Sequence, residues 1–510
     1  MEFFKWAIKY DYIIVGGGTA GCIIAARLAT AGFRVALFEA GPSDENNSTI
    51  ADLRKWADLL GTNLDYDYRI VKQYRGNSLI RYSRAKLLGG CSSHNSCIAF
   101  YTPEYDLNQW VLHGALGWDP ISVKPFLDKV RTKIIFETAK INNNFINDAF
   151  NAANQANIPT IKFNTDPNYN SQCGIGWFDL NKKNITRQSS SQAYLHPLSK
   201  WKNKIDFYLN TQVHKIIIKN NRAIGVQIAN KTIYCTKEVI VCCGAIDTPK
   251  LLLLSGIGPF DHLCDVNVDP EYELLGVGSH LIDHPEGVLN WELKQPMPSE
   301  AINFWEVGIF NKIVPTSPVP DSMMHLGLVI FDMNTQLFGY PTAKYGFSLT
   351  PNVMRAKSEG TIRLKSSNPK DPPLIDFKYF TDKENYDEKI MVEGFKKARE
   401  IAQQPALQKW IKRELTPGMA VQSDRDISEY IRKTSNTVYH AAGSCKMGSK
   451  DDPMAVVDPE LKVYGISNLR IADASIFPTM IGVNPAITIM MIGERCADFI
   501  LKDNIGRAKL

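Results

Sequence analysis

The chain opens on short apolar runs separated by glycines. Asp11-Tyr12-Ile13-Ile14-Val15 is a continuous β-branched run, the pattern of a strand buried on both faces. Gly16-Gly17-Gly18-Thr19-Ala20-Gly21 follows it, and then a stretch rich in Ala, Ile and Leu from Cys22 to Thr30 predicts a helix. A second apolar strand over Phe33 to Phe38 ends at Glu39-Ala40-Gly41. The pattern is a complete βαβ unit with an acid about twenty residues beyond the glycines.

Similar signals return in the middle and at the end. Ile205 to Ile228 alternates as strands do, with a turn at Asn220-Asn221. Glu238 to Cys243 is another buried-strand run, followed by the helix-like Thr248 to Ser255. The chain ends on a predicted helix over Pro485 to Leu501. Between these lie other patterns. Glu104 to Lys133 is partly helical, and Asn142 to Asn157 has helical composition. Asn164 to Ser191, rich in Asn, Ser and Gly, predicts a surface excursion. Strand-like Met324 to Phe331 and Gly360 to Leu364 precede a helix over Lys383 to Gln403. This interleaving predicts two domains, both discontinuous. One, of residues 1–150, 205–290 and 437–510, binds a nucleotide; the other comprises 151–204 and 291–436.

Composition adds mostly exclusions. With 510 residues, 44% of them hydrophobic and 22% charged, the chain is ordinary and globular. A net charge of +5 without clustered basic residues argues against nucleic acid as a partner. The ten cysteines show no metal spacing, so no metal site is expected, and a reduced, cytoplasmic setting suits them. No apolar run is long enough to predict a membrane span.

The glycine fingerprint carries the first chemistry. Gly16 permits a tight turn, Gly18 lets backbone approach a pyrophosphate, and Gly21 allows helix and strand to pack closely. Thr19 and Ala20 open the helix whose N-terminus favours an anion. Glu39 can accept hydrogen bonds from a ribose diol, which argues for FAD or NAD rather than NADP. About seventy residues on, Arg84-Ala85-Lys86-Leu87-Leu88-Gly89-Gly90-Cys91-Ser92-Ser93-His94-Asn95-Ser96 places a histidine in a loop of glycines and serines. Such a loop lets backbone come close to a planar ligand.

These stretches resemble the glucose–methanol–choline (GMC) flavoprotein oxidoreductases. So do Gly244-Ala245-Ile246-Asp247-Thr248-Pro249, Ser255-Gly256-Ile257-Gly258-Pro259, Asp283-His284-Pro285, Asp473-Ala474-Ser475 and Val483-Asn484-Pro485. The loop around His94, Trp305 to Phe310, Phe331 to Asn334 and Asn436 to His440 are most similar to the family's choline-oxidising members. The resemblance implies an α/β (α+β two-domain) chain: a Rossmann-like FAD-binding domain, and a substrate-binding domain on a mainly antiparallel sheet flanked by helices. It implies an alcohol oxidase that converts a primary alcohol, choline or another small one, to the aldehyde and onward to the acid. Oxygen is the implied acceptor, and a homodimer is implied too.

The resemblance also assigns residues. FAD is linked covalently through His94, with Gly90, Cys91, Asn95, Val213, Asp473, Ala474 and Pro485 beside it and Ser96 near flavin N5. His440 and Asn484 handle the alcohol hydroxyl, and a histidine is suited to the proton because its pKa lies near neutrality. Sequence leaves open which group takes that proton. His325 stabilises an alkoxide-like transition state. Glu306 pairs with a quaternary ammonium, with Trp56, Trp305 and Tyr439 as aromatic faces. Two alternatives stay open: a dehydrogenase passing electrons to a quinone or other acceptor, and a lyase using FAD structurally.

Overall fold

The computed structural model describes residues 9–165, 172–198, 202–229 and 231–507. The βαβ unit forms as its pattern predicts. Strand Lys9–Val15 lies parallel to Val35–Phe38 on one side and to Lys231–Val241 on the other. These belong to a seven-stranded sheet that continues through Ile205–Tyr208 at one edge and Val213–Ile218 at the other, with Leu469–Ile471 beside Lys231–Val241. The stretch 213–241 is an antiparallel meander. Its first turn holds Asn220 and Asn221 at φ 52° and 54°, the left-handed pair of a tight hairpin.

Helix Thr19–Thr30 is buried along most of its length because it lies under the C-terminal helix Ala486–Arg507. A Cβ on Gly21 would stand 2.0 Å from the Gly16 carbonyl oxygen, so only glycine lets this helix meet the strand that precedes it.

A second, eight-stranded sheet is antiparallel throughout. Its main order is Ile411–Thr416, Leu289–Leu293, Gly346–Val353, Ser322–Gly327, Val307–Asn311 and Gly174–Trp177. A short strand, Pro285–Glu286, is held between Asn352 and Asn436–Thr437. Helix Tyr386–Ala402 backs this sheet through an apolar face that includes Ile390, Met391 and Phe395. The architecture is the expected one: a Rossmann-like sheet joined to an antiparallel sheet with helices.

One expectation fails. Of the stretch 164–191, residues 166–171 lie outside the described residues; of the remainder, Thr165, Gln172, Cys173 and Lys183 to Ile185 are exposed, but much of the rest is no surface excursion. Gly174–Trp177 is a strand of the second sheet, and Phe178, Leu180, Arg187 and Ser189 to Ser191 are buried. Its polar residues looked like loop composition, yet Asn181, Lys182, Arg187 and Ser189 to Ser191 are buried. Arg187 donates to the carbonyls of Ile50, Ser92 and Asn95. The C-terminal helix also runs past its predicted end to Arg507. All ten cysteines are free, and no helix among the described residues is long and apolar enough to cross a membrane.

Candidate active site

One cavity lies between the two sheets, and nearly every candidate residue lines it. At one end are Val15, Gly16, Gly18, Thr19, Ala20, Glu39 and Val213; at the other are Trp56, Trp305, His325, Tyr439, His440 and Asn484. Three helix N-termini border it, through Gly18 to Ala20, Cys243 to Ala245, and Asn484 to Ala486. Their unpaired amides favour an anionic group. Gly21 does not line the cavity; its place is the helix–strand contact described above.

The two glycine-rich loops pack on one another. Gly89 donates its N–H to the Gly17 carbonyl at 2.7 Å, and a Cβ on Gly90, at φ 52°, would come within 2.7 Å of the Gly18 Cα. Glu39 bridges the same region, accepting from Gly17 N at 3.1 Å and Gly41 N at 2.9 Å. Burial pushes its carboxyl up to about 7, with these two amides acting against the rise. Asp473 fastens the floor: it accepts from Gly244 N, Thr248 Oγ1 and Ser475 N, while Asp473 and Ala474 both border the cavity.

Cys91, His94, Asn95 and Ser96 all line the cavity beside Gly90. His94 ends a short 3-10 turn over Gly90–Ser93. Its Nε2 is buried without a hydrogen-bond partner, the nearest carboxylate oxygen being that of Asp65 at 4.0 Å. Burial lowers the His94 pKa to about 4, against the pull of Asp65 and with help from Arg187 and Arg84. The ring is therefore neutral at physiological pH. Arg187 holds the loop from behind: its Nη1 meets the Asn95 carbonyl and lies 3.0 Å from Asn95 Oδ1 and 3.0 Å from Cys97 Sγ.

His440 sits just past strand Asn436–Thr437, after Tyr439 at φ 62°. That strained turn is held by Arg84, which donates to the Tyr439 carbonyl, and by Asp283, which accepts from His440 N at 2.9 Å and from Thr437 Oγ1. The His440 ring has its tautomer set by His284. Nε2 of His284 lies 2.7 Å from the Met354 carbonyl and 2.9 Å from that of Ile481. A carbonyl only accepts, so Nε2 carries the proton. Burial lowers the His284 pKa to about 4, so the ring is neutral and its Nδ1 bears a lone pair. His440 Nδ1, 2.8 Å away, therefore donates to it. Burial also holds His440 well below the usual histidine range, helped by His284, Arg84 and His325. What remains for the cavity is a bare Nε2 on a neutral ring, the form of a general base. Asn484 contributes a buried Oδ1 with no partner.

Glu306, expected to meet a quaternary ammonium, is set behind Trp305, its neighbour in the chain that lines the cavity. Glu306 does not line the cavity and is fully buried. Its Oε1 accepts from the backbone N–H groups of Ile302, Asn303 and Phe304, at 2.6, 3.0 and 3.1 Å. Three amides hold that one oxygen, while Oε2 is buried without a hydrogen-bond partner. At the end of the cavity that holds His325, the acid in the lining is Glu286, whose Oε1 stands 3.6 Å from His325 Nδ1. Trp305 meets His325 and Phe331 edge-on, at 5.9 and 5.5 Å between ring centres. Trp56 is steadied by its Nε1–H to the Asn303 carbonyl at 2.9 Å. Sequence reasoning missed Glu286, although it lies two residues beyond His284 in a motif already singled out. It also missed His284 as the partner of His440, and Arg187, which sat in the supposed excursion.

The residues at the first end suit a dinucleotide. Gly18 leaves room at its surface, its nearest hypothetical Cβ contact being an ordinary 3.5 Å. The orphaned His94 Nε2 and Asn484 Oδ1 are polar atoms awaiting a ligand.

Comparison with known proteins gives the family and the fold. The chain is 45% identical to choline oxidase of Arthrobacter globiformis, over 98% of this chain and 95% of that one. It is 31% identical to mitochondrial choline dehydrogenase of Mus musculus, over 96% and 89%. Among solved structures, pyridoxine 4-oxidase from Mesorbium loti superposes with a TM-score of 0.88 at 23% identity, over 96% of this chain and 99% of that one. The GMC oxidoreductase models match residues 10–286 and 356–493. With a cavity built at the meeting of two sheets, and those matches spanning most of its length, the chain belongs to the GMC oxidoreductase family.

Proposed function

We propose that the protein is an FAD-dependent alcohol oxidase whose substrate is a small primary alcohol carrying a cationic head, choline being the first candidate. The observation that carries this reading is the pairing, in one cavity, of the bare His440 Nε2 with a carboxylate, Glu286, among aromatic rings. FAD, when bound, supplies the acceptor for the hydride leaving the alcohol carbon and returns the electron pair to oxygen as hydrogen peroxide. His440 Nε2 takes the hydroxyl proton. Asn484 and His325 hold the alcohol oxygen from the sides. Glu286 faces the quaternary ammonium, with Trp56, Trp305 and Tyr439 offering π faces. Glycines 16, 18 and 90 and Glu39 hold the adenosine and pyrophosphate half.

His94 is the attachment point for the flavin: its neutral ring and orphaned Nε2 favour a covalent bond. Acid precipitation tests this, since a covalent flavin stays yellow in the pellet and a free one colours the supernatant. Ten free thiols accord with a reducing, cytoplasmic setting, and light scattering would report whether the chain is a homodimer.

Oxygen uptake with choline is the deciding experiment. Flavin-loaded protein that consumes no oxygen with choline or any short alcohol overturns the oxidase reading. Rapid dye reduction with negligible oxygen uptake moves the assignment to a dehydrogenase, an activity named in the mouse relative.

A further inference from the structure

Asn352 stands outside the cavity wall yet faces one of its histidines. Its side chain is buried, 1% exposed, on strand Gly346–Val353. His325 lies directly opposite Thr350 on the neighbouring strand, so Asn352, two residues along on the same face, is its diagonal neighbour. Asn352 Nδ2 lies 3.3 Å from the Thr350 carbonyl and 3.3 Å from His325 Nδ1. The carbonyl can only accept, which fixes the amide with its NH2 group toward both partners. An NH2 group facing Nδ1 requires a lone pair there. The proton of a neutral His325 must then sit on Nε2.

A competitor makes this arrangement consequential. Glu286 Oε1 is 3.6 Å from the same Nδ1, and left alone it would draw the proton to that side. At 3.6 Å it makes no hydrogen bond, whereas Asn352 does. We propose that Asn352 is a positioning residue that locks His325 in its Nε2–H tautomer, giving the cavity a fixed N–H donor to face the bare nitrogen of His440. One histidine then accepts the hydroxyl proton while the other donates to the oxygen as charge develops on it. A donor fixed before reaction stabilises that charge without rearrangement. The kinetic consequence rests on the alcohol-oxidising reading above; the tautomer does not.

The test uses flavin-loaded protein labelled with 15N-histidine, in which long-range 1H–15N correlations report each ring's tautomer. The His325 signals are identified by their loss in H325Q. The Nε2–H form is expected in the unsubstituted protein. N352D, whose introduced carboxylate accepts from Nδ1–H, should move His325 to the Nδ1–H form and lower kcat/KM for choline by about 100-fold, the scale of removing one preorganised donor. In an H325A background the same change should matter less than about 2-fold, since its effect acts through the absent ring. N352L, which removes the amide without adding charge, serves if N352D does not fold; it leaves Nδ1 to Glu286 and should shift His325 toward the Nδ1–H form, with an intermediate loss. Finding His325 as Nδ1–H in the unsubstituted protein overturns the proposal. So does an unmoved tautomer in N352D, or an equal loss with and without the His325 ring. If the protein oxidises no alcohol, the functional reading fails while the spectra still decide the tautomer.

Discussion

At the scale of single residues, two glutamates show how little a side chain's identity says about its task. Glu306 holds a turn through three backbone amides, while Glu286 stands at the cavity wall. E286Q is therefore expected to raise KM for choline at least about tenfold while sparing uncharged alcohols, a split that steady-state kinetics on both substrates resolves. E306Q should leave that discrimination intact and lower the melting temperature, because a neutral amide accepts more weakly from the three N–H groups. H440A should reduce kcat/KM by about 10²- to 10⁴-fold, the usual worth of a positioned base, with choline KM changing far less. His94, His440 and Asn484 were legible because each sits in a short motif whose spacing is local. The place of Glu286 was not legible, since which carboxylate lines the cavity depends on strand pairings between distant segments. His284 was visible as a motif residue, but its bond to His440 joins positions 156 apart.

At the scale of elements, the βαβ unit was fully legible because periodicity, glycines and the closing acid all lie within about thirty residues. The stretch 172–191 was not. The burial of its strand and of Arg187 comes from partners far away, and a buried arginine bound to carbonyls reads in sequence like any surface arginine. The close packing of the glycine elements yields a sharp contrast. G21A puts a methyl 2.0 Å from the Gly16 carbonyl and should cost both stability and FAD retention, read as a lower melting temperature and a lower flavin-to-protein absorbance ratio. G32A, at a glycine with nothing within 4 Å but φ 93°, should cost only about 1 kcal/mol through backbone strain and keep its flavin.

For the whole molecule, buried histidines link stability to pH. His94 and His284 titrate at about 4 in the fold and near 6.5 once unfolded. Depressed folded values mean that their contribution is complete above pH 6.5 and is lost as pH falls toward 4. Buried carboxyls act the other way: Glu39 at about 7 and Asp387 at about 6 retain protons that the unfolded chain releases, and so favour the fold as pH falls. The clean measurement is thus a difference. The stability gap between the unsubstituted protein and H284N, from denaturant titrations, should narrow steadily between pH 6.5 and 4.

The short strand Pro285–Glu286 has a consequence for substrate length. His284, bonded to His440, and Glu286, beside His325, lie two residues apart on one extended segment, so their side chains leave the same face about 6.6 Å apart. The segment is clamped on both sides, by Asn352 and by Asn436–Thr437, and cannot stretch. Under the function proposed above, it would work as a fixed ruler between the cation and the carbinol. Adding methylenes between the ammonium and the hydroxyl should lower turnover sharply even though each one binds more apolar surface.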